Sequence, residues 1–183
     1  MKKLTFRGFI IAATLILGLL TALTALGCRL YPAGWLLSCA ITFGTTFYHF
    51  AMRLLVGHLI PNTFDHRRAW FQPKAFEKKL YRLLRVKKWK DHMPTYDPRL
   101  FSLTENSLEQ IVSNMCQAEV VHEVIVLFSL VPMLFTLLWD SFFVFFITSI
   151  LAAALDTTFV ILQRYNRPRL VRLLSKKKGY SHV

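Results

Sequence analysis

Apolar residues run almost unbroken through four stretches of the chain, Gly8 to Leu26, Trp35 to Leu59, Val124 to Leu138 and Phe142 to Leu162, and the intervals between them carry charge. A helix needs about twenty mostly apolar residues to cross a hydrocarbon core, so each stretch predicts a spanning helix. The third is short; it borrows length from the apolar face of the helix before it and has Pro132 as a kink point. The links Gly27 to Gly34 and Trp139 to Ser141 leave room only for turns, which pairs the helices as two antiparallel hairpins. The predicted organisation is all-α: a transmembrane hairpin over residues 1–60, a cytoplasmic or interfacial helical segment over 61–122, a second hairpin over 123–163 and a basic cytoplasmic tail over 164–183.

Between the hairpins, KAFEKKLYRLLRVKKWK (Lys74 to Lys90) places Phe76, Leu80, Leu83 and Trp89 along one flank with basic residues around them, the pattern of a helix lying in the membrane interface. Ser102 with Glu105 three residues later reads as a capping box that opens a new helix. At the far end, Pro168 predicts the stop of the last helix, because the residue before a proline is pushed out of the α region.

Composition agrees with a membrane protein: 54% of the 183 residues are hydrophobic and the mean hydropathy is +0.40. A formal net charge of +13 would suggest nucleic acid in a soluble chain, but here long apolar stretches separate the basic clusters. The expected anionic partners are therefore membrane phospholipid headgroups or a phosphate-bearing substrate, not nucleic acid. Three Lys or Arg precede the first span, eleven lie between Pro61 and His122, and seven follow Leu162, leaving only Arg29 and Arg53 elsewhere. By the positive-inside rule this predicts a multi-pass cell-membrane protein with both termini and the central segment cytoplasmic. The N-terminus resembles a lipoprotein signal ending at Gly27-Cys28, but its apolar part is long enough to span and Ala25-Leu26 fit the cleavage box poorly, so a first spanning helix is expected. Cys28, Cys39 and Cys116 have no CxxC spacing and give neither a zinc nor a disulfide framework.

Several polar residues fall where lipid or core is expected. Arg53 lies inside the second span with His49 one turn before it; either both face the bundle or Arg53 snorkels to the cytoplasmic surface. Glu119 and His122 share the stripe of Ile111, Val112, Met115 and Val126, whereas Glu105, Glu109, Gln110 and Gln117 lie towards other faces. A carboxylate that orients an imidazole suits a general base that takes a proton from a hydroxyl nucleophile, which with an activated acyl donor gives acyl transfer. The plainer alternative is a structural polar pair between helices. Glu-x-x-His is also a di-iron ligand spacing, but only one such motif occurs, and no metal is expected. Asp156 is an acid within a span, and Gln163 lies seven residues on along nearly the same face. Arg164, Asn166, Arg167 and Arg169 then form a cluster in which guanidinium forks suit phosphate or carboxylate and the amide can orient a carbonyl or sugar hydroxyl. Arg172 and Lys176 to Lys178 read as an ordinary cytoplasmic anchor. His92 and Asp97 have the His-x4-Asp spacing of glycerolipid acyltransferases without that family's downstream phosphate motif, so the match is coincidental; no Gly-rich phosphate loop or nucleophile elbow occurs.

VKKWK at Val86 to Lys90, AEVVH at Ala118 to His122 with the Pro132-containing stretch after it, and QRYNRPRL at Gln163 to Leu170 resemble the glycosyl-4,4'-diaponeurosporenoate acyltransferase family from about Trp70 to Leu174. The resemblance implies a small integral membrane enzyme that attaches a fatty acyl chain to the sugar of a glycosylated carotenoid. The family places an aromatic residue after the histidine where this chain has Glu123, so a related glycolipid acceptor also fits. The expected site has His122 as base, Glu119 as its orienter, Arg164, Asn166, Arg167 and Arg169 as donor or oxyanion binders, and Asp156 with Gln163 as the floor. The expected co-substrate is an acyl thioester on coenzyme A or acyl carrier protein, with no further cofactor. A non-catalytic lipid-binding or assembly factor is the rival class, and a metal-dependent lipid-modifying enzyme a more distant one.

Overall fold

The computed structural model describes residues 6–180 and is all-helical, with no strand among those residues. Lys2 and Lys3, used above for orientation, lie outside the described residues, as does the side chain of Lys178. The helices are α1 (Phe6–Leu30), α2 (Gly34–Leu59), α3 (Glu77–Leu83), α4 (Val86–Trp89), α5 (Leu108–Phe128) and α6 (Phe142–Tyr180), joined by loops and short 3-10 turns.

Three helical stretches, not four, are long and apolar enough to cross a membrane: Phe6–Leu30, Leu108–Leu137 and Phe142–Lys177. The sequence expectation fails at α2, which has the length but carries Ser38, Thr42, Thr45, Thr46, Tyr48, His49 and Arg53 among its apolar residues. The third apolar stretch begins earlier than expected. It opens with α5 and continues through a 3-10 helix, Val131–Leu137, with Pro132 in its first turn, so Glu119 and His122 lie inside the candidate span and not before it. The capping box that starts α5 is also displaced. Ser107 Oγ accepts from Gln110 N at 3.2 Å while Gln110 Oε1 accepts from Ser107 N at 2.8 Å, whereas Ser102 closes a local turn on Thr104.

The expected interfacial helix is broken in two. Arg85 adopts a left-handed conformation, φ 51°, between α3 and α4, and Trp89 Nε1 donates back to Leu84 O at 2.9 Å across the break. Pro168 does not end α6, which continues to Tyr180. A proline inside a helix costs about 3 kcal/mol, yet here the residues around it are fixed by tertiary contacts: Arg164 and Arg167 by ion pairs and Leu174 by burial. Asp97 holds Arg99 in the turn that opens the 3-10 helix Pro98–Phe101, a local structural role.

The chain divides into two compact units, one built from residues up to Leu59 with Glu123–Thr157, the other from Ile60–His122 with residues from Thr158 onward. In the first, α1 and α2 form an antiparallel hairpin whose close approach uses small residues: a Cβ at Gly18 would stand 3.0 Å from the Phe47 ring, and one at Gly44 would stand 3.4 Å from Thr21. Gly18→Val should therefore lower stability by about 1–3 kcal/mol, read as a lower unfolding midpoint in detergent, and Phe47→Ala in the same chain should restore most of it. Arg53 resolves the alternative left open above by turning inward: it ion-pairs with Asp156 and donates to His49 O at 2.6 Å. Tyr48 Oη donates to Phe128 O at 2.9 Å.

Candidate active site

The second unit holds most of the residues singled out from sequence. Polar side chains fix the N-terminal half of α5 to the loops around it: Asn114 Nδ2 donates to Leu100 O at 2.7 Å, Ser113 Oγ to Asn62 Oδ1 at 2.8 Å, and Gln117 Nε2 to Ile60 O at 2.7 Å. These bonds set the rotation of α5, and Glu119 becomes fully buried, 0% exposed, in line with Val112 and Cys116.

A buried carboxylate needs charged or hydrogen-bonding partners, and α6 supplies them. Arg164 Nη1 donates to Glu119 Oε1 at 2.5 Å, and Arg167 Nη1 donates to Glu119 Oε2. Arg164 also reaches Glu77 Oε1 through Nε at 2.8 Å and Nη2 at 2.5 Å, and the carbonyls of Trp70 at 3.1 Å and Gln72 at 3.3 Å. All five of its N–H groups are thereby engaged within the protein. Arg167, 3% exposed, donates to Phe71 O at 2.7 Å and stacks over the Phe71 ring at 5.1 Å. Two carboxylates thus face two guanidinium groups, and the cluster is electrically balanced.

Glu77, 4% exposed, is the member of this cluster that the sequence pattern did not single out. Tyr81 Oη donates to Glu77 Oε2 at 3.0 Å, and its ring meets Tyr165 edge-on at 5.2 Å. Burial first, then the hydrogen bond and charge of Glu77, push the Tyr81 phenol above its ordinary range, so it remains a proton donor.

His122 is half-buried and lies flat on Phe159, ring centroids 4.7 Å apart and planes 13° from parallel. Phe159 thus supports one face of the imidazole, and each oxygen of Glu119, the expected orienter, also holds an arginine. Gln163 and Asn166 are half-buried beside the cluster; Arg169 is exposed, donates to Tyr165 Oη at 3.0 Å and stacks on that ring at 4.7 Å. The structure thus brings Glu119, His122, Gln163, Arg164, Asn166, Arg167 and Arg169 into one unit, while Asp156 belongs to the other and pairs there with Arg53. Among the described residues no three His, Cys, Asp or Glu side chains gather as a metal site would require.

Chemically, the arrangement offers an imidazole supported on one face next to a rigid, charge-balanced anchor. No curated protein and no solved structure matches the chain. A family model does: the one described as glycosyl-4,4'-diaponeurosporenoate acyltransferase matches residues 67–176, which include every residue of the buried charge cluster together with His122. Since that match covers well over half of the sequence, the chain belongs to the glycosyl-4,4'-diaponeurosporenoate acyltransferase family.

Proposed function

We propose that this protein is a membrane-bound O-acyltransferase that moves a fatty acyl group onto a sugar hydroxyl of a glycosylated carotenoid or related lipid at the cytoplasmic surface of the cell membrane. The donor is an acyl thioester on coenzyme A or an acyl carrier protein. His122 accepts the proton of the acceptor hydroxyl as that oxygen attacks the thioester carbonyl; the carbon–sulfur bond breaks, the ester forms, and the imidazolium returns its proton to the departing thiolate. Glu119 acts through the arginines it holds, setting the position of α6 next to His122, and Arg164 and Arg167 serve as its counter-charges. Asn166, Gln163 and Arg169, whose side chains are less enclosed than that of Arg167, are the groups left to meet the donor or acceptor. Asp156 contributes by fixing Arg53 in the first unit.

The observation that carries this reading is the family match over residues 67–176. The test is direct: purified protein, offered radiolabelled acyl thioesters and a total membrane lipid extract, should release free thiol and yield an acylated glycolipid. Hydrolysis without any lipid product would make the protein a thioesterase and overturn the transfer reading, and no turnover with any thioester would leave it as a lipid-binding factor. That second reading draws on one feature, the engagement of both Glu119 oxygens in ion pairs of structural character.

A further inference from the structure

The folding of the interfacial segment sorts its charges in a way the sequence does not display. Helix α3 has one acid, Glu77, and it is turned into the second unit, where Arg164 neutralises it. The cations from Lys74 to Lys88, namely Lys74, Lys78, Lys79, Arg82, Arg85, Lys87 and Lys88, are all exposed. None of them is in an ion pair with another described residue. Large apolar side chains are exposed among them, Phe76 at 64% and Leu83 at 77%. At roughly 100° per residue Phe76 and Leu83 fall on one line of the helix, Glu77 and Tyr81 about a quarter-turn or more to one side against the protein, and Lys79 and Arg82 to the other.

We propose that this face is a docking surface for an anionic phospholipid leaflet, with Phe76 and Leu83 entering the acyl boundary and the lysines and arginines gripping headgroup phosphates. Two features select lipid over an acidic protein as the occupant. The apolar and basic residues occupy adjoining strips, as they do on helices lying in a bilayer interface. The same chain also supplies helices long enough to anchor it in that bilayer. The proposal does not depend on acyl transfer.

The experiment uses the full chain with Phe76→Cys in nanodiscs, labelled with a water-soluble maleimide and corrected for the parent chain's own cysteines. Raising phosphatidylglycerol in phosphatidylcholine discs from none to about 30 mol % should slow labelling by at least about tenfold. Lys78→Gln, Lys79→Gln and Arg82→Gln together should abolish that protection without changing the unfolding midpoint. Equal labelling at the two lipid compositions would overturn the proposal. So would protection that appears in purely zwitterionic discs only when an acidic acyl carrier protein is added, which would assign the face to a protein partner.

Discussion

Replacing His122 with phenylalanine should lower acyl-transfer turnover by about 10²–10⁴-fold, the usual contribution of a positioned general base, with little change in apparent affinity for the donor. Phenylalanine is the informative substitution because a phenyl ring can preserve the flat contact that the imidazole makes with Phe159, 4.7 Å between centroids. The variant therefore separates the nitrogen atoms from the packing. His122→Ala removes both and should show the same kinetic loss with some added destabilisation. Turnover retained in His122→Phe would end the assignment of His122 as base, whatever the alanine variant does. Circular dichroism and the unfolding midpoint of the phenylalanine variant are the controls for an intact fold.

Arg167→Met should destabilise the protein by about 3–5 kcal/mol, the cost of leaving one member of a buried ion pair without its partner. For a chain of this length that corresponds to a fall in unfolding midpoint of roughly 6–20 °C. Glu119 is fully enclosed, so water cannot replace the lost guanidinium, and Phe71 O loses its donor at the same time. Adding Glu119→Leu should recover a large part of the loss, because an apolar pair of similar volume carries no desolvation penalty. Arg164 would keep its bonds to Glu77 and to the carbonyls of Trp70 and Gln72. A midpoint lowered by only a degree or two in Arg167→Met would mean that the cluster contributes little to holding α5 against α6.

Much of this site was legible from periodicity. Glu119 and His122 stand on the apolar stripe of α5, and the helical period alone placed them inward. Glu77 escaped notice because, read locally, one acid among many lysines and arginines looks like solvated charge; its partner Arg164 lies 87 residues away along the chain. A signal was available in principle, since Arg164 and Arg167, well inside α6, need two counter-charges if both are enclosed, and Glu119 supplies only one. Pro168 misled for the converse reason. The rule that ends a helix at a proline is local, and here the ion pairs of Arg164 and Arg167 on its N-terminal side outweigh it. The start of α5 turned on which of two serines had a glutamine or glutamate three residues on with room to fold back; Ser107 with Gln110 does, and Ser102 closes a turn on Thr104 instead. The count of spans failed at α2 because apolar content was weighed as a whole, while the threonines, Tyr48, His49 and Arg53 together leave the helix less apolar than the three candidate spans.

The enclosure of the Glu77–Arg164–Glu119–Arg167 cluster has a practical consequence at the bench. In molar salt the Debye length contracts to about 3 Å, which uncouples charges that face water and leaves enclosed ones almost untouched. A high-salt wash during purification should thus strip polar-headed contaminants from Lys78, Lys79 and Arg82 while α3 stays fastened to α6, giving a cleaner preparation with its fold undisturbed.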